Sequence, residues 1–371
     1  MTFGRRSGIF LVGVSTLQGR VLTIGGGTRM LDKRKRSILQ AIVDDYISTA
    51  EPIGSRTIAR KHDLGVSPAT IRNEMADLEL LGYIEQLHTS SGRIPSAKGY
   101  RFYVDSLLSP TQMSEREIAL IKNWYQEKTR HVEEVFQETA KILSKITSNI
   151  SLVLVPQVTQ CAFKYLKFLP FDDCRTILVV VTDTGFVENK VIDIPTGLSF
   201  NDLQRIAEHI NRRLSGLSFE NIELSILREI QNEMLIDVDL FETALGILKQ
   251  ALVVEKNERL YLGGTTQLLS QPEFKNIEKV KSFLDMLEEE HLLANILQKQ
   301  KNDGVIVTIG DENKYSGIQD CSMVQATYRI DGQVVGTVAV LGPTRMDYGK
   351  VMSVLEFMHN HLGEVLKKYK I

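Results

Sequence analysis

Two stretches near the start of the chain carry apolar side chains every three or four residues, which is the spacing of an amphipathic helix. The first stretch runs from Lys33 to Ile47 and directly follows Asp32. The second runs over residues 69–81 and follows Ser67 and Pro68. Serine is a favoured N-cap, and proline suits the first helical position because its missing N–H costs nothing there. The pattern therefore predicts two helices, of which the second has the clearest start signal in the chain.

A shorter helix is predicted between them, from Ser55 to Lys61, with Ser55 as its N-cap. Gly65 then suits a tight turn, so the three helices together predict a helix-turn-helix. The third helix is expected to bury Ile71, Met75, Leu78 and Leu81 and to turn Ala69, Thr70, Arg72, Asn73 and Ala76 outward near its N-terminal end. Arginine pairs well with guanine and asparagine with adenine in the major groove, so this end is predicted to read bases. An ordinary surface helix could carry the same two side chains.

The residues after the third helix predict a small hairpin. Residues 82–88 indicate one strand, 89–92 a turn and 93–95 the returning strand, and 96–108 then indicate a helix. A helix-turn-helix followed by such a hairpin is a winged helix. The tip of the wing would place Ser90, Ser91 and Arg93 against phosphate or in the minor groove.

Beyond residue 113 the pattern indicates a larger body of helices and strands. A long amphipathic helix is predicted over 114–145, and its apolar stripe is typical of core packing. Strands follow, a helical stretch interrupts them, and strands resume before a terminal helix, which predicts an α+β domain with an insertion. The strands are 150–155, 161–168, 176–181, 186–194, 304–310, 323–330 and 333–341, and the helices are 201–214, about 221–256 and about 348–369.

Composition and charge exclude several classes of protein. The 371 residues are 43% hydrophobic and 24% charged, which is ordinary globular chemistry. The formal net charge of -2 excludes a wholly basic nucleic-acid coat protein. Residues 56–101 carry seven basic and five acidic side chains, so one copy is expected to bind DNA only modestly. The 3 cysteines are scattered and no apolar run has membrane-spanning length, so we expect a cytoplasmic protein with no membrane partner.

No grouping of residues points to catalysis, and we expect that the protein is not an enzyme. His359 and His361 fall on different faces of a predicted helix. The segment Leu262–Thr265 is glycine-rich but lacks the lysine of a phosphate loop, so it is interpreted as a structural turn. The acidic run 288–290 suits a solvated helix face, and residues 172–173 lie in a turn with no third metal ligand nearby. We therefore expect no cofactor and no metal.

Five segments of the N-terminal region carry a recognisable pattern of cap, turn and wing residues. They are Ile53-Gly54-Ser55, Ser67 to Met75, Gly82-Tyr83-Ile84, Thr89 to Pro95 and Gly99-Tyr100-Arg101. Taken together, these segments resemble the HrcA family of heat-inducible transcription repressors. The resemblance rests on many residues that agree in order, and not on one short motif. The resemblance starts at Met30 and extends more weakly to the C-terminus.

The resemblance implies an α+β multidomain protein. A winged-helix DNA-binding domain would span 30–108, a GAF-like α+β domain would span 109–196 and 271–371, and an inserted dimerising domain would span 197–270. The implied partners are double-stranded DNA at the inverted-repeat CIRCE operator, a second copy of the chain, and the GroE chaperonin, which keeps the repressor active. Residues 1–29, with four arginines, no acid and seven glycines, are expected to be a flexible extension or a start assigned too far upstream. An export signal is the alternative for that segment.

The residues expected to contact DNA are Ser55, Arg56, Ser67, Ala69, Thr70, Arg72, Asn73, Ser90, Ser91, Arg93 and Lys98. Arg72 and Asn73 are expected to read bases, whereas Arg93 and Lys98 are expected mainly to hold the DNA backbone. Two other functions stay open at this point. One is a regulator that senses a metabolite through the GAF-like domain, and the other is an enzyme with a winged-helix appendage.

Overall fold

The structure is a computed structural model that describes residues 31–86, 92–108, 111–128, 132–155, 162–183, 187–194, 197–218, 222, 259–298, 304–330 and 333–367. By its internal contacts the chain divides into two units, Met1–Met30 and Leu31–Ile371, and all described residues belong to the second. The extension expected over 1–29 therefore lies outside the described residues. So does the helix predicted at about 221–256, apart from residue 222.

The N-terminal part of the described chain is a winged helix. Its elements are α1 (Lys33–Thr49), α2 (Ser55–Lys61), α3 (Pro68–Leu80), β1 (Ile84–Glu85), β2 (Ile94–Pro95) and α4 (Ala97–Phe102), and one π-helical turn (Tyr103–Leu107) follows α4. The side chains of Asp32, Ser67 and Ser96 cap α1, α3 and α4, each accepting a hydrogen bond from a backbone N–H. The N-cap predicted at Ser55 is wrong. Gly54 holds that position in extended backbone without a side-chain bond, because Ser55 is already helical.

The winged helix is held together by the predicted apolar stripes. The buried side chains are Ile38, Leu39, Ile42 and Val43 on α1, Ile58 on α2, and Ile71, Met75 and Leu78 on α3. Leu81 is only half-buried, because α3 ends at Leu80 and the chain turns through Gly82 with φ +77. A left-handed conformation of this kind favours glycine.

The wing has a short hydrogen-bonded ladder. β1 and β2 pair antiparallel over two residues each. On the other side of β2, Ile53 and Arg93 exchange two backbone hydrogen bonds of 2.9 Å. Gly92 permits this approach, because a Cβ there would lie 2.5 Å from the backbone of Ile53. Ser90 and Ser91 lie outside the described residues.

The single long helix predicted over 114–145 is wrong. The structure has two helices, α5 (Glu115–Lys128) and α6 (Val132–Thr147). The hydroxyls of Tyr125 and Thr139 are 2.8 Å apart and 14 residues apart in sequence, which on one straight helix would separate them by about 21 Å. The two helices therefore fold back on each other. Both turn one stripe inward, so periodicity alone cannot reveal the break.

The body is built on an antiparallel sheet of five strands. The strands are β3 (Ile150–Leu154), β7 (Leu260–Gly263), β8 (Val305–Ile309), β9 (Cys321–Ile330) and β10 (Gln333–Pro343), and the helices beside them include α8 (Ile277–Glu288), α9 (Glu290–Gln298) and α10 (Tyr348–Lys367). The strand order is β7-β3-β10-β9-β8. One face of the sheet packs against α6 and α10, and the other packs against α8 and α9. Both faces of the sheet are thus covered by helices.

A second sheet of three antiparallel strands stands apart from the first. Its strands β4 (Phe163–Pro170), β5 (Arg175–Thr182) and β6 (Val187–Asp193) pack with α7 (Phe200–Leu214) around their own apolar cluster. α7 begins with a capping box, in which Ser199 and Asp202 hydrogen-bond to each other's backbone N–H groups.

The points where the chain changes sheets differ from the expected edges at 197 and 270. β4, β5 and β6 precede 197 and yet belong to the three-stranded sheet. β7 precedes 271 and yet pairs with β3 in the five-stranded sheet. The turn predicted at Leu262–Thr265 is likewise half strand, because Leu262 and Gly263 pair with β3 before Gly264 turns the chain at φ +74.

Candidate nucleic-acid interface

The N-terminal half of α3 presents an exposed polar surface. The side chain of Ser67 accepts the N–H of Thr70 at 3.2 Å, so the first turn of the helix is fixed. Ser67, Ala69, Arg72 and Asn73 are exposed, whereas Thr70 is half-buried. Arg72 and Asn73 make no hydrogen bond or ion pair with any residue in the described ranges. Their donors are therefore available to an outside partner, as base readout in a major groove requires.

The neighbouring helix α2 adds two unpaired cations. Arg56 and Arg60 are both exposed, and neither has an ionic partner in the part of the chain that the structure describes. Like charges four residues apart on a helix repel each other by a few tenths of a kcal/mol, which a bound polyanion would reverse. Ser55 is half-buried beside them. Sequence reasoning missed Arg60, although its spacing of four from Arg56 indicates that the two share a helix face.

The acidic residues of α3 are paired with basic side chains. Lys35 Nζ lies 2.7 Å from Glu74 and 3.0 Å from Asp77, and Arg34 lies 3.3 Å from Glu74. The hydrogen bond to Glu74 is the main cause that raises the pKa of Lys35 above its usual value. These negative charges are therefore neutralised by paired cations, whereas Arg56, Arg60 and Arg72 have no ionic partner among the described residues. A count of charges along the sequence cannot detect this difference in pairing.

The side chains of Arg93 and Lys98 are engaged inside the domain. Arg93 donates from Nε at 2.9 Å and from Nη2 at 2.8 Å to one carboxylate oxygen of Glu79 on α3. Lys98 Nζ donates to the carbonyl oxygen of Leu81 at 2.7 Å and lies 4.6 Å from the ring centre of Tyr83. Both cations thus connect the wing side of the domain to the C-terminal end of α3.

The residues considered for catalysis have structural partners. His359 Nδ1 contacts the carbonyl oxygen of Thr327, and the ring of His361 stacks on Phe357 with centroids 4.0 Å apart. Within the described ranges, no three His, Cys, Asp or Glu side chains are grouped to hold a metal ion. None of the described helices is long and apolar enough to cross a membrane.

These features define a winged-helix DNA-binding protein whose recognition motif is attached to an α+β body. Residues 30–105 match the family described as "Winged helix-turn-helix transcription repressor, HrcA DNA-binding", and residues 133–352 match "HrcA protein C terminal domain". The chain belongs to the HrcA family of heat-inducible transcription repressors. It is a multidomain α+β regulator that represses heat-shock transcription, and not an enzyme.

Relatives that carry the name of this family match nearly the whole chain. The heat-inducible transcription repressor HrcA of Pelotomaculum thermopropionicum is 45% identical over 339 residues, which are 91% of this chain and 97% of the relative. That of Brevibacillus brevis is 43% identical over 91% of this chain and 98% of its own length. A crystal structure of a hypothetical protein shares the fold at TM-score 0.61 and 23% identity, covering 92% of this chain and all of its own.

Proposed function

We propose that this repressor acts as a homodimer in the cytoplasm, where it binds an inverted-repeat operator of the CIRCE type and blocks transcription of chaperone operons. The observation that carries the proposal is the outward end of α3, where Arg72 and Asn73 are exposed and have no described partner. One winged helix reads only a few base pairs. A symmetric operator therefore needs two copies related by a two-fold axis.

Each residue of the proposed interface has a role that follows from its place. Arg72 and Asn73 read base edges, and the small residues Ser67, Ala69 and Thr70 let α3 approach the groove closely. Ser55, Arg56 and Arg60 contact phosphate from α2. For Ser90 and Ser91, which lie outside the described residues, the phosphate contact is proposed from the sequence pattern alone. Arg93 and Lys98 act from behind this surface, since they support the wing and the end of α3.

The second copy is proposed to dock on the three-stranded sheet. The face of this sheet turned away from α7 has three rows that cross all three strands, and only Lys167 and Asn189 among their nine positions are polar. A fourth pair on this face, Arg175 with Asp193, is charged and lies at one end of it. The apolar rows are Tyr165–Val181–Val187 and Leu169–Ile177–Val191, with Val179 at the centre of the remaining row. Tyr165, Val187 and Val191 are 44–48% exposed. Monomers rarely leave such a continuous apolar patch open, and a sheet face can pack on its own symmetry mate.

We accordingly place the dimerising insertion between β3 and β7, starting before β4, instead of at 197–270. The test is the double substitution Leu169→Glu with Val191→Glu, which puts a negative charge on each side of Ile177 in one apolar row of the face, where a second copy would bury it. Arg205→Glu, at an exposed position of α7, makes the same change of net charge and is the matched control. We expect a folded monomer with weak operator binding from the double variant, as measured by sedimentation and by DNA titration. A double variant that stays dimeric at full affinity refutes this placement.

The GroE chaperonin is proposed to keep the repressor competent, so that heat acts by diverting the chaperonin to unfolded clients. Support comes from the size of folding free energies, because a change of about 1–2 kcal/mol alters the folded fraction several-fold and no ligand is needed. The alternative is a metabolite that binds the GAF-like domain. The experiment measures the operator-active fraction of the purified chain with and without chaperonin. An active fraction that ignores chaperonin but responds to a small-molecule extract would favour the alternative.

Residues 1–29 are proposed to be dispensable for operator binding, because the resemblance starts at Met30. A chain that begins at Met30 should bind operator as tightly as the full chain, with the same salt dependence. Loss of part of the salt dependence would instead assign phosphate contacts to the four arginines of the segment.

A further inference from the structure

Two arginines connect the winged helix to the body. Arg101 belongs to α4, and its Nε donates to the carboxylate of Glu312 at 2.8 Å. Its Nη2 donates to the same carboxylate and, at 2.7 Å, to the carbonyl oxygen of Val307 on β8. Asp105 holds the third nitrogen at 3.2 Å. The guanidinium is therefore bound by both domains at once.

The second arginine reaches in the opposite direction, from the body to the winged helix. Arg345 Nη1 donates at 2.8 Å to the carbonyl oxygen of Ile47, in the last turn of α1. Carbonyl groups at this end of a helix lack a partner within the helix and carry its negative dipole, so a cation suits them. Glu273 and Gln271 hold the other nitrogens of Arg345 at 2.6 and 3.0 Å, and only 12% of the side chain is exposed.

A buried aromatic contact also connects the winged helix to the body. The rings of Tyr100 on α4 and Tyr348 on α10 are 5.9 Å apart, and both side chains are buried. The hydroxyl of Tyr348 lies 2.7 Å from Ser322 Oγ and donates to the carbonyl oxygen of Thr344 at 2.6 Å, so its ring is fixed relative to the body. α4 thus rests on a rigid part of the body.

The same helix α4 also holds the end of the recognition helix. Ser96 Oγ donates to the carbonyl oxygen of Gly82 at 2.7 Å, and Lys98 donates to that of Leu81 at 2.7 Å. α3 is therefore connected to the body through α4, and the orientation of α3 depends on how α4 is seated. Half-sites of a palindrome must match the distance and rotation between two recognition helices.

We propose that Arg101 and Arg345 are positioning residues for operator recognition: by fixing each winged helix to its own body, they set the half-site spacing that the dimer accepts. Arg101, Arg345, Glu312 and the carbonyl oxygen of Ile47 form this interdomain clasp. The proposal rests on the proposed homodimer on an inverted repeat. In this proposal the clasp selects the spacing between half-sites and does not contact DNA.

The experiment measures the affinity of the full-length chain for one palindrome with a varied spacer and for a single half-site. Inserting about five base pairs, half of a helical turn, moves the second half-site to the opposite face of the duplex. For the wild-type chain we expect a loss of about 100-fold on that DNA, because the gain from two linked contacts disappears. The variants are Glu312→Gln and Arg345→Met, and Arg116→Met on the exposed face of α5 is the matched control.

Each clasp variant should lose about tenfold on the natural spacing and discriminate less than tenfold between spacings, with the half-site affinity unchanged. The double variant should lose little more than either single variant, because both act on one interdomain clasp. Variants that keep the wild-type spacing profile, or that lose half-site and palindrome binding equally, overturn the role of the clasp. If the wild-type chain is monomeric, or binds all spacings with equal affinity, the proposed homodimer on an inverted repeat is itself wrong. Sedimentation of each variant separates these results.

Discussion

The ion pair between Arg93 and Glu79 gives the sharpest test of how the wing is used. Sequence reasoning places Arg93 against phosphate, whereas the structure binds its guanidinium to a carboxylate of α3 at 2.8–2.9 Å. The perturbations are Arg93→Ala, which removes the cation, and Glu79→Gln, which removes the opposite charge. Glu85→Gln, on the exposed side of β1, makes the same change of charge and serves as the control.

The magnitude follows from the geometry and exposure of the pair. Two unit charges at about 4 Å attract by about 4 kcal/mol at an effective dielectric constant of about 20. The two side chains are 23% and 33% exposed, so desolvation, ordering and screening leave about 1 kcal/mol. If this energy holds the wing in place, its loss weakens DNA binding by about five-fold. If Arg93 instead touched phosphate, its removal would flatten the salt dependence by about 0.9.

The assay is the affinity for operator and for random DNA at several salt concentrations. We expect Arg93→Ala and Glu79→Gln each to weaken binding to operator and to random DNA by similar factors. The slope of log affinity against log salt concentration should stay nearly unchanged. Glu79→Gln should bind less tightly than Glu85→Gln, although both variants gain the same charge. A Glu79→Gln variant that binds more tightly than the control, together with a flattened slope for Arg93→Ala, would refute the supporting role. Arg93 would then be a direct phosphate contact that Glu79 competes for.

Three further outcomes test other parts of the structure. Arg72→Ala should cost about 1–3 kcal/mol on the operator and relax base preference, and an equal loss on random DNA would contradict base readout. Gly99→Ala should destabilise the winged helix by at least about 1–3 kcal/mol in denaturant titration, because a Cβ would lie 2.1 Å from the carbonyl oxygen of Tyr83. Hydrogen bonds from Ser114 lower the pKa of Glu117 below its usual 4.5, so this carboxylate stabilises the fold above that pH. Glu117→Gln should therefore melt below wild type at pH 7, and the difference should vanish as the pH falls through the lowered pKa.

The elements whose signals are local follow from the sequence. The side chains of Asp32 and Ser67 cap α1 and α3 by accepting a backbone N–H only three residues away, so both caps depend on local sequence. Apolar spacing identifies the buried side of both helices. The outward position of Arg72 and Asn73 follows from the same periodicity. The order of helix, turn, helix and wing could therefore be predicted from the sequence. So could the two exposed residues at the N-terminal end of α3 that are proposed to read bases.

Tertiary structure alone decided which distant segments meet. β7 pairs with β3 across more than a hundred residues, and no periodicity in either strand carries that register. The hairpin of α5 and α6 is hidden because both helices present apolar stripes to one core. Arg93 and Arg101 look alike along the chain as surface cations, yet one is bound to Glu79 and the other to Glu312, 211 residues away. Charge pairing depends on through-space distance, which a linear pattern does not contain, so only the folded structure separates the cations left exposed from those paired within the protein.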